Sequence, residues 1–475
     1  MIRRPSWSVI LLGVLVSACA TVGPDVTLPK LPADLDRRSG APFEASGAPV
    51  YSLAPPPGRW WRLYDDPRLD ALVEEALAVN TDLRVAAASL ERAEAAIQEV
   101  RATAGLQTNV TAGATAGQVS TLGIAPAAGV HSQFDAAIGV SYEVDVVGRI
   151  RRSIEAATAT AQAQAAARDL ARTVVAADVV DAYATTCVTG ARIAVAQHSL
   201  ALQQQSLALT RRGVRGGVYG PLDAVRSGVL VSQLQAAIPP LEGARRVALY
   251  RLAVLGGHVP TNYSPDLASC TTIPTIRNKL PIGDGMALIK RRPDIRQAER
   301  ELAAATATIG VETAALYPSI SLGLSAGSSS RSIGGLVSNS ALQFSAGPLI
   351  SWTIPNRSVA RARIAEANAT ARGALATFDG QVLIALRETE SALTLYTRDL
   401  EENAHLAEAR DQSRQAANLE RRLVAGGTAS SLELLDVQRT LATAEATLAQ
   451  SDAILASDRI AIYRALGGGW EQDPS

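Results

Sequence analysis

Aromatic residues make up only 4% of this 475-residue chain. A thick hydrophobic core needs large side chains, so their scarcity excludes one and points to thin, alanine-rich helices packed at close range. Lysine is nearly absent, at Lys30, Lys279 and Lys290 only, and arginine carries the rest of the positive charge. With 45 basic and 45 acidic residues the formal charge is zero. The basic footprint of a nucleic-acid-binding protein is therefore missing. Four scattered histidines and three cysteines form no Cys/His pairs, which leaves no case for a zinc site. One enzyme-like motif, Gly323-Leu324-Ser325-Ala326-Gly327, matches G-x-S-x-G. That motif needs a strand–turn–helix setting. Here it falls inside an alternating strand, and His405 alone among histidines follows it. The sequence therefore offers no catalytic residue, no metal ligand set and no cofactor motif.

The N-terminus reads as an address. Arg3 and Arg4 precede an apolar run, Val9 to Val16, too short to cross a bilayer. Val16-Ser17-Ala18-Cys19 then resembles a bacterial lipoprotein signal. The likeness implies removal of residues 1–18 and acylation of Cys19. The alternative is an ordinary secretory signal with an incidental cysteine. Ala20, rather than Asp, favours delivery to the outer membrane. Residues 19–58 read as the acylated cysteine followed by an extended Pro-rich tether. For an exported protein in an oxidising compartment, the remaining cysteines, Cys187 and Cys270, are expected to pair as a disulfide. Two separate buried thiols are the competing expectation.

The rest of the chain repeats itself. Asn80-Thr-Asp-Leu-Arg-Val-Ala86 returns as Arg292-Pro-Asp-Ile-Arg-Gln-Ala298. The segment Tyr142 to Arg149 returns in outline as Ile350 to Arg357, and Arg211 to Leu222 returns as Arg421 to Leu432. These positions are offset by 212, 208 and 210 residues, so the chain is a tandem duplication. The first repeat spans 59–257 and the second 292–467, joined by a connector at 258–291 and followed by a tail at 468–475. Each repeat reads helix, two strands, long helix, tight turn, helix. In the first, strands at 107–118 and 132–146 precede a long helix at 149–214, a tip turn at 215–221 and a helix at 222–256. In the second, a helix at 293–316 precedes strands at 318–328 and 341–354. A long helix at 357–424, a tip turn at 425–431 and a helix at 432–466 follow.

All four strands alternate. Phe134, Ala136, Ile138, Val140, Tyr142 and Val144 oppose Gln133, Asp135, Ser141 and Glu143. Period two gives a sheet with one apolar and one polar face. A soluble sandwich would show the same pattern. Yet these strands have the roughly 9–11 residues that cross a membrane, and apolar-out, polar-in alternation marks outer-membrane barrels. Four strands cannot enclose a lumen, and an open sheet edge is not tolerated in lipid, so copies of the chain must share the barrel. The helices carry heptads, the longest being Leu434, Leu441, Leu448, Leu455 and Ile462. Sustained sevens imply left-handed coiled-coil packing. Each long helix matches the summed length of the two shorter helices of its repeat, so it is expected to pair with both. Pro239-Pro240 should loosen the first returning helix. The Gly216-Gly217 and Gly426-Gly427 turns should lie at the far end from the strands.

These pieces together resemble the TolC-like outer-membrane efflux factors, in the NodT-type lipoprotein branch. The carriers are the lipobox, Trp60-Trp-Arg-Leu-Tyr-Asp-Asp-Pro-Arg-Leu69, Arg291-Arg-Pro-Asp-Ile-Arg-Gln-Ala-Glu-Arg300, Leu316-Tyr-Pro-Ser-Ile320 and Tyr463-Arg-Ala-Leu-Gly-Gly-Gly-Trp470. One departure is Ala104-Gly105-Leu106, where the first repeat lacks the counterpart of Pro318. The resemblance implies an α+β membrane protein. A homotrimer would form a twelve-stranded outer-membrane β-barrel continuous with a long α-helical coiled-coil periplasmic tunnel. It implies passive conduction of small molecules delivered by a periplasmic adaptor and an inner-membrane pump, of the resistance-nodulation-division or major-facilitator type. It also implies a lipid-anchored protein of the outer membrane, with no enzymatic activity. A periplasmic gate would fall at Leu432, Glu433 and Asp436, with Asp223 and Arg226 on the first-repeat tip. Arg226 and Asp436 occupy equivalent repeat positions, so an inter-helix latch between them is expected. Gly216, Gly217, Gly426 and Gly427 would mark the adaptor-docking tips. The competing readings are a periplasmic adaptor lipoprotein, which would show one hairpin flanked by soluble β domains, and a structural tethering lipoprotein. The exported substrate is not written in these residues.

Overall fold

The computed structural model describes residues 21–27, 41–118, 129–352 and 357–468. The signal segment, Cys19 and the tail beyond 468 lie outside them. In chain order the elements are β1 (Tyr51–Ser52), α1 (Pro67–Val79), α2 (Thr81–Thr103), β2 (Gln107–Gly117), β3 (His131–Val144) and α3 (Arg149–Arg215). Next come α4 (Pro221–Ala236), α5 (Ile238–Leu255), β4 (Leu280–Pro281), α6 (Gly285–Arg291) and α7 (Pro293–Ala314). The chain closes with β5 (Ser319–Ser330), β6 (Leu342–Ser351), α8 (Arg357–Ala425) and α9 (Ser431–Ala465). The returning helix expected at 222–256 is two helices meeting at Ala237, just before the Pro239-Pro240 pair that cannot donate backbone hydrogen bonds. Contacts divide the chain into two units. Of the described residues, the first holds 21–27, 89–118, 129–165, 297–352 and 357–378, and the second holds 41–88, 166–296 and 379–468.

The first unit contains the sheet, ordered β2-β3-β5-β6 with every neighbour antiparallel. Its register keeps the two faces apart across all four strands. Val110, Ile138, Ala326 and Phe344 form one row, and Asn109, Gly139, Ser325 and Ser345 form the next. A slip of one residue in any strand would mix these rows. Ser325 and Ser345 join their hydroxyls at 2.8 Å across the polar face. The G-x-S-x-G serine is thus a mid-strand residue. The apolar face is uncovered within the chain: Phe344 is 86% exposed and Val110 74%.

The stretch after Cys19 is docked rather than free within this unit. Val22 N–H donates to the Val147 carbonyl at 3.0 Å. Arg152, only 4% exposed, donates to the Val22 and Gly23 carbonyls, to Asp25 and to Glu155. Burial opposes the Arg152 charge, but its hydrogen bonds to the two carboxylates outweigh that and raise the guanidinium pKa.

In the second unit residues 41–58 of the expected tether are also structured. Tyr51 and Ser52 pair in parallel with Leu280 and Pro281. Trp60, fully buried, stacks on Tyr463 with ring centroids 4.9 Å apart. The connector is held by a disulfide between Cys187 of α3 and Cys270, whose Cα atoms are 4.7 Å apart. One turn along α3, Gly190 sits where any side chain would strike the Cys270 carbonyl, so glycine permits this approach. The heptad residues Leu441, Leu448, Leu455 and Ile462 of α9 are buried, each stabilising by about 1.5–3 kcal/mol.

The first repeated motif also finds its purpose here. Asn80 caps α2 by accepting from Asp82 N–H at 2.9 Å, while its amide donates to the Leu255 carbonyl at the end of α5. At the equivalent position, Arg292 donates to the Ala465 carbonyl at the end of α9. Leu255 and Ala465 are themselves 210 residues apart. Both repeats therefore tie the start of one helix to the finish of another, using different side chains.

Candidate functional site

The candidate site lies in the second unit, where the α3–α4 and α8–α9 hairpins turn. Both turns use a glycine in the left-handed region, Gly217 (φ +77°) and Gly427 (φ +73°), which lets the last helical carbonyls be satisfied in a tight reversal. Gly216 and Gly426 each donate to a carbonyl four residues back, Arg212 and Arg422. Ser430 opens α9 by accepting from Glu433 N–H at 3.2 Å, and the Glu433 carboxylate accepts from Ser430 N–H at 2.9 Å. Hydrogen bonds to that carboxylate, from Ser430 N–H first and then from the Ser430 hydroxyl at 3.1 Å, lower the Glu433 carboxyl below its usual range. Asp223 does the same on α4, accepting from Gly220 N–H at 3.0 Å. Two of the expected gate carboxylates are therefore helix-capping groups.

Leu432 and Asp436 occupy a different environment. Together with Arg226, Leu230, Leu435 and Arg439 they line a cavity of about 300 Å³ between α4 and α9. An adjoining cavity of about 320 Å³ reaches α3 at Leu209 and α8 at Val424, and is also lined by Tyr219 of the first turn and Leu432 of α9. Leu432, 49% exposed, borders both. The expected Arg226–Asp436 ion pair is not formed within the chain. Asp436 instead pairs with Arg439 at 2.5 Å, because one helical turn places the two on the same face of α9. Arg226 faces the same cavity without an ion pair to Asp436 among the described residues.

Polar ties between the hairpins were not marked in the sequence. Glu445 of α9 accepts from Ser199 of α3 at 3.0 Å and from Arg414 of α8 at 2.9 Å. Gln438 accepts from Ser206 at 3.2 Å. Each lies between heptad leucines and looks like an ordinary surface residue until the helices are paired.

Farther along the same helix pair, Asp458 of α9 meets Asp399 of α8. Its Oδ2 is buried and receives no hydrogen bond from a donor among the described residues. Burial, then the hydrogen bond and charge of Asp399, push the Asp458 carboxyl up to about 7. Arg459 opposes that rise, but its Nε donates to the Tyr396 hydroxyl at 3.0 Å. Tyr51 approaches from β1, donating to the Leu393 carbonyl at 2.7 Å, and burial pushes its hydroxyl up to about 12.

Comparison with known proteins adds a family. The profile described as "Outer membrane efflux protein" matches residues 72–258 and 286–468, one stretch in each repeat. Nodulation protein T of Rhizobium leguminosarum bv. viciae is 30% identical over 467 residues, covering 97% of this chain and 92% of that protein. The probable efflux pump outer membrane protein TtgC of Pseudomonas putida is 29% identical, over 98% of this chain and 95% of its own. The solved structure of the outer-membrane channel OprN superposes with a TM-score of 0.88 at 34% identity, covering 95% of this chain and all of that one.

Proposed function

The chain belongs to the outer membrane efflux protein family, and from that footing we infer that it is the outer-membrane channel component of an efflux system. One observation carries the reading: a four-stranded sheet whose register separates a polar face from an exposed apolar face, with β2 and β6 unpaired along their outer edges. Open edges and an exposed Phe344 are a liability in water. They are resolved if β2 of one copy pairs with β6 of the next. Three copies then close twelve strands, with apolar side chains toward lipid and polar ones toward a wet bore. No bond is made or broken. The protein lets small molecules diffuse outward after an inner-membrane pump and a periplasmic adaptor have delivered them.

The hairpin turns are proposed as the adaptor-docking surface, with Gly216, Gly217, Gly426 and Gly427 at the tips. Leu432 and Asp436 are the proposed closing residues, since they border the cavities between hairpins, and adaptor binding must favour the open state over the closed one to open them. Glu433 and Asp223 contribute by fixing the helix starts beside that closure. Cys19 is the proposed acylation site, anchoring the chain in outer-membrane lipid. Labelled palmitate should enter the wild-type chain and be absent from Cys19→Ser. The central test is assembly. Outer-membrane fractions should contain a heat-modifiable trimer that conducts ions in planar bilayers. A soluble periplasmic monomer would refute the reading.

A further inference from the structure

The polar face of the sheet carries very little charge, and the register shows where that charge survives. Across β2, β3, β5 and β6 the only carboxylates are Asp135 and Glu143. Both lie on the polar row set, Asp135 between Gly113 and Ser329, and Glu143 beside Ser321. Glu143 is neutralised: Arg149 Nε and Nη2 reach its two oxygens at 3.1 and 2.6 Å. Asp145, just past the strand, is likewise paired with Arg151 at 3.2 Å. Asp135 has no ion-pair partner among the described residues. Its carboxylate accepts from the cross-strand Ser329 hydroxyl and from the Gln133 amide, the latter at 3.0 and 3.2 Å, and both donors are neutral. Its cross-strand neighbours are a glycine and a serine, too small to cover it. Arg331 lies beyond the end of β5, and among the described residues no ion pair joins it to Asp135. The His131 ring, at the start of β3, contacts the Gly129 carbonyl at 3.3 Å.

We propose that Asp135 sets the charge preference of the outer bore, its three copies forming one acidic ring that favours cationic over anionic small molecules. The inference rests on the reading of the chain as a trimeric channel. A ring of carboxylates at one height attracts cations and repels anions, as in other cation-conducting pores. The flanking Gly113 and Ser329 leave the carboxylate open to whatever passes. The Gln133 amide fixes its position without cancelling its charge. Because the bore is wet, the effect is a bias rather than a barrier. Three charges each roughly 10 Å from a passing ion shift the cation-to-anion permeability ratio by up to about twentyfold at 0.01 M salt and toward unity at 1 M. The neutralised pair Glu143–Arg149 contributes little.

The test is the reversal potential of purified wild-type trimer in a potassium chloride gradient across a planar bilayer, compared with Asp135→Asn and Asp135→Lys. The asparagine variant should lose the cation preference with its conductance retained, and the lysine variant should reverse it. Hexaamminecobalt(III) added on the extracellular side should reduce wild-type current at low salt and leave Asp135→Asn unaffected. Arg331→Gln, which removes a cation just beyond β5, should strengthen the preference. An unchanged reversal potential in Asp135→Asn, with trimer and conductance intact, overturns the proposal while leaving the channel reading standing. Wild-type trimer with no conductance at all would refute the channel reading itself and this one with it.

Discussion

Replacing Asp458 with asparagine should flatten the pH dependence of stability. Asp458 carries a carboxyl raised from 3.8 to about 7, chiefly by burial and then by Asp399. A raised acid binds its proton more tightly folded than unfolded, so its stabilisation is complete below about pH 4. It fades as pH rises and is gone above about pH 7. The shift is about 3 units, which at about 1.4 kcal/mol each sets a ceiling of about 4 kcal/mol per chain. Asp458 is only half-buried, and solvent screening reduces this to about 1–2 kcal/mol. Asparagine keeps the shape and donates permanently to Asp399, so no proton is lost on raising the pH. The assay is the thermal transition of the detergent-solubilised trimer at one scan rate from pH 4 to pH 8.5, because membrane oligomers unfold irreversibly. Wild type should lose a few degrees across that window relative to Asp458→Asn. The variant should be the more stable protein at pH 8, and the two should converge near pH 4. Parallel pH profiles would refute the reasoning, since they would mean that Asp458 is already ionised beside Asp399 in the folded chain.

Arg292→Ala should be among the most destabilising single changes. It strands Asp294, Glu388 and the Ala465 carbonyl, all of which Arg292 now contacts within 3.0 Å, at a cost of about 3–5 kcal/mol readable as lost trimer yield. Denatured, unreduced protein should show no free thiol at Cys187 or Cys270, and reduction should lower thermal stability by several kcal/mol, as expected for a bridge closing an 83-residue span. Labelling of both cysteines without reductant would exclude the bridge. Leu432→Ala combined with Asp436→Ala should raise the resting conductance of the trimer several-fold. An unchanged resting conductance removes both residues from the closure.

Much of the strand architecture was legible because period two is a local signal. Gln133, Asp135, Ser141 and Glu143 share a face whatever the strand pairs with. The heptads Leu441 to Ile462 were legible for the same reason. Two kinds of feature were not. The first is structure built by distant contacts from short, irregular segments: Tyr51 pairing with Leu280, Trp60 stacking on Tyr463, and α1 at 67–79 had no periodicity long enough to show. The second is the identity of a charge's partner. Arg226 and Asp436 do share a cavity, as their repeat positions suggested, but Arg439 stands one turn from Asp436 and engages it first. Glu433 and Asp223 read as gate charges in a list of residues, and their spacing from Ser430 and Gly220 was the signal that could have marked them as caps.

The duplication explains which differences between the halves matter. Where both copies must do the same job, the backbone solution is held and the side chain is free to change, as with Asn80 and Arg292 reaching equivalent helix-end carbonyls. At the turns the copies diverge in a compensated way. Gly213 of α3 has no side chain because the Tyr219 ring occupies that space. The equivalent residues are Leu423 and Ala429, so the bulk moves from the turn to the helix. The first hairpin therefore fills its own groove with tyrosine, whereas the second leaves Leu423 49% exposed. Six hairpins from three identical chains would otherwise approximate sixfold symmetry. This exchange of bulk helps reduce it to threefold, so a partner docking at the turns, as proposed above, would meet two kinds of surface in alternation. Tyr219 and Leu423 are the side chains by which it would tell them apart.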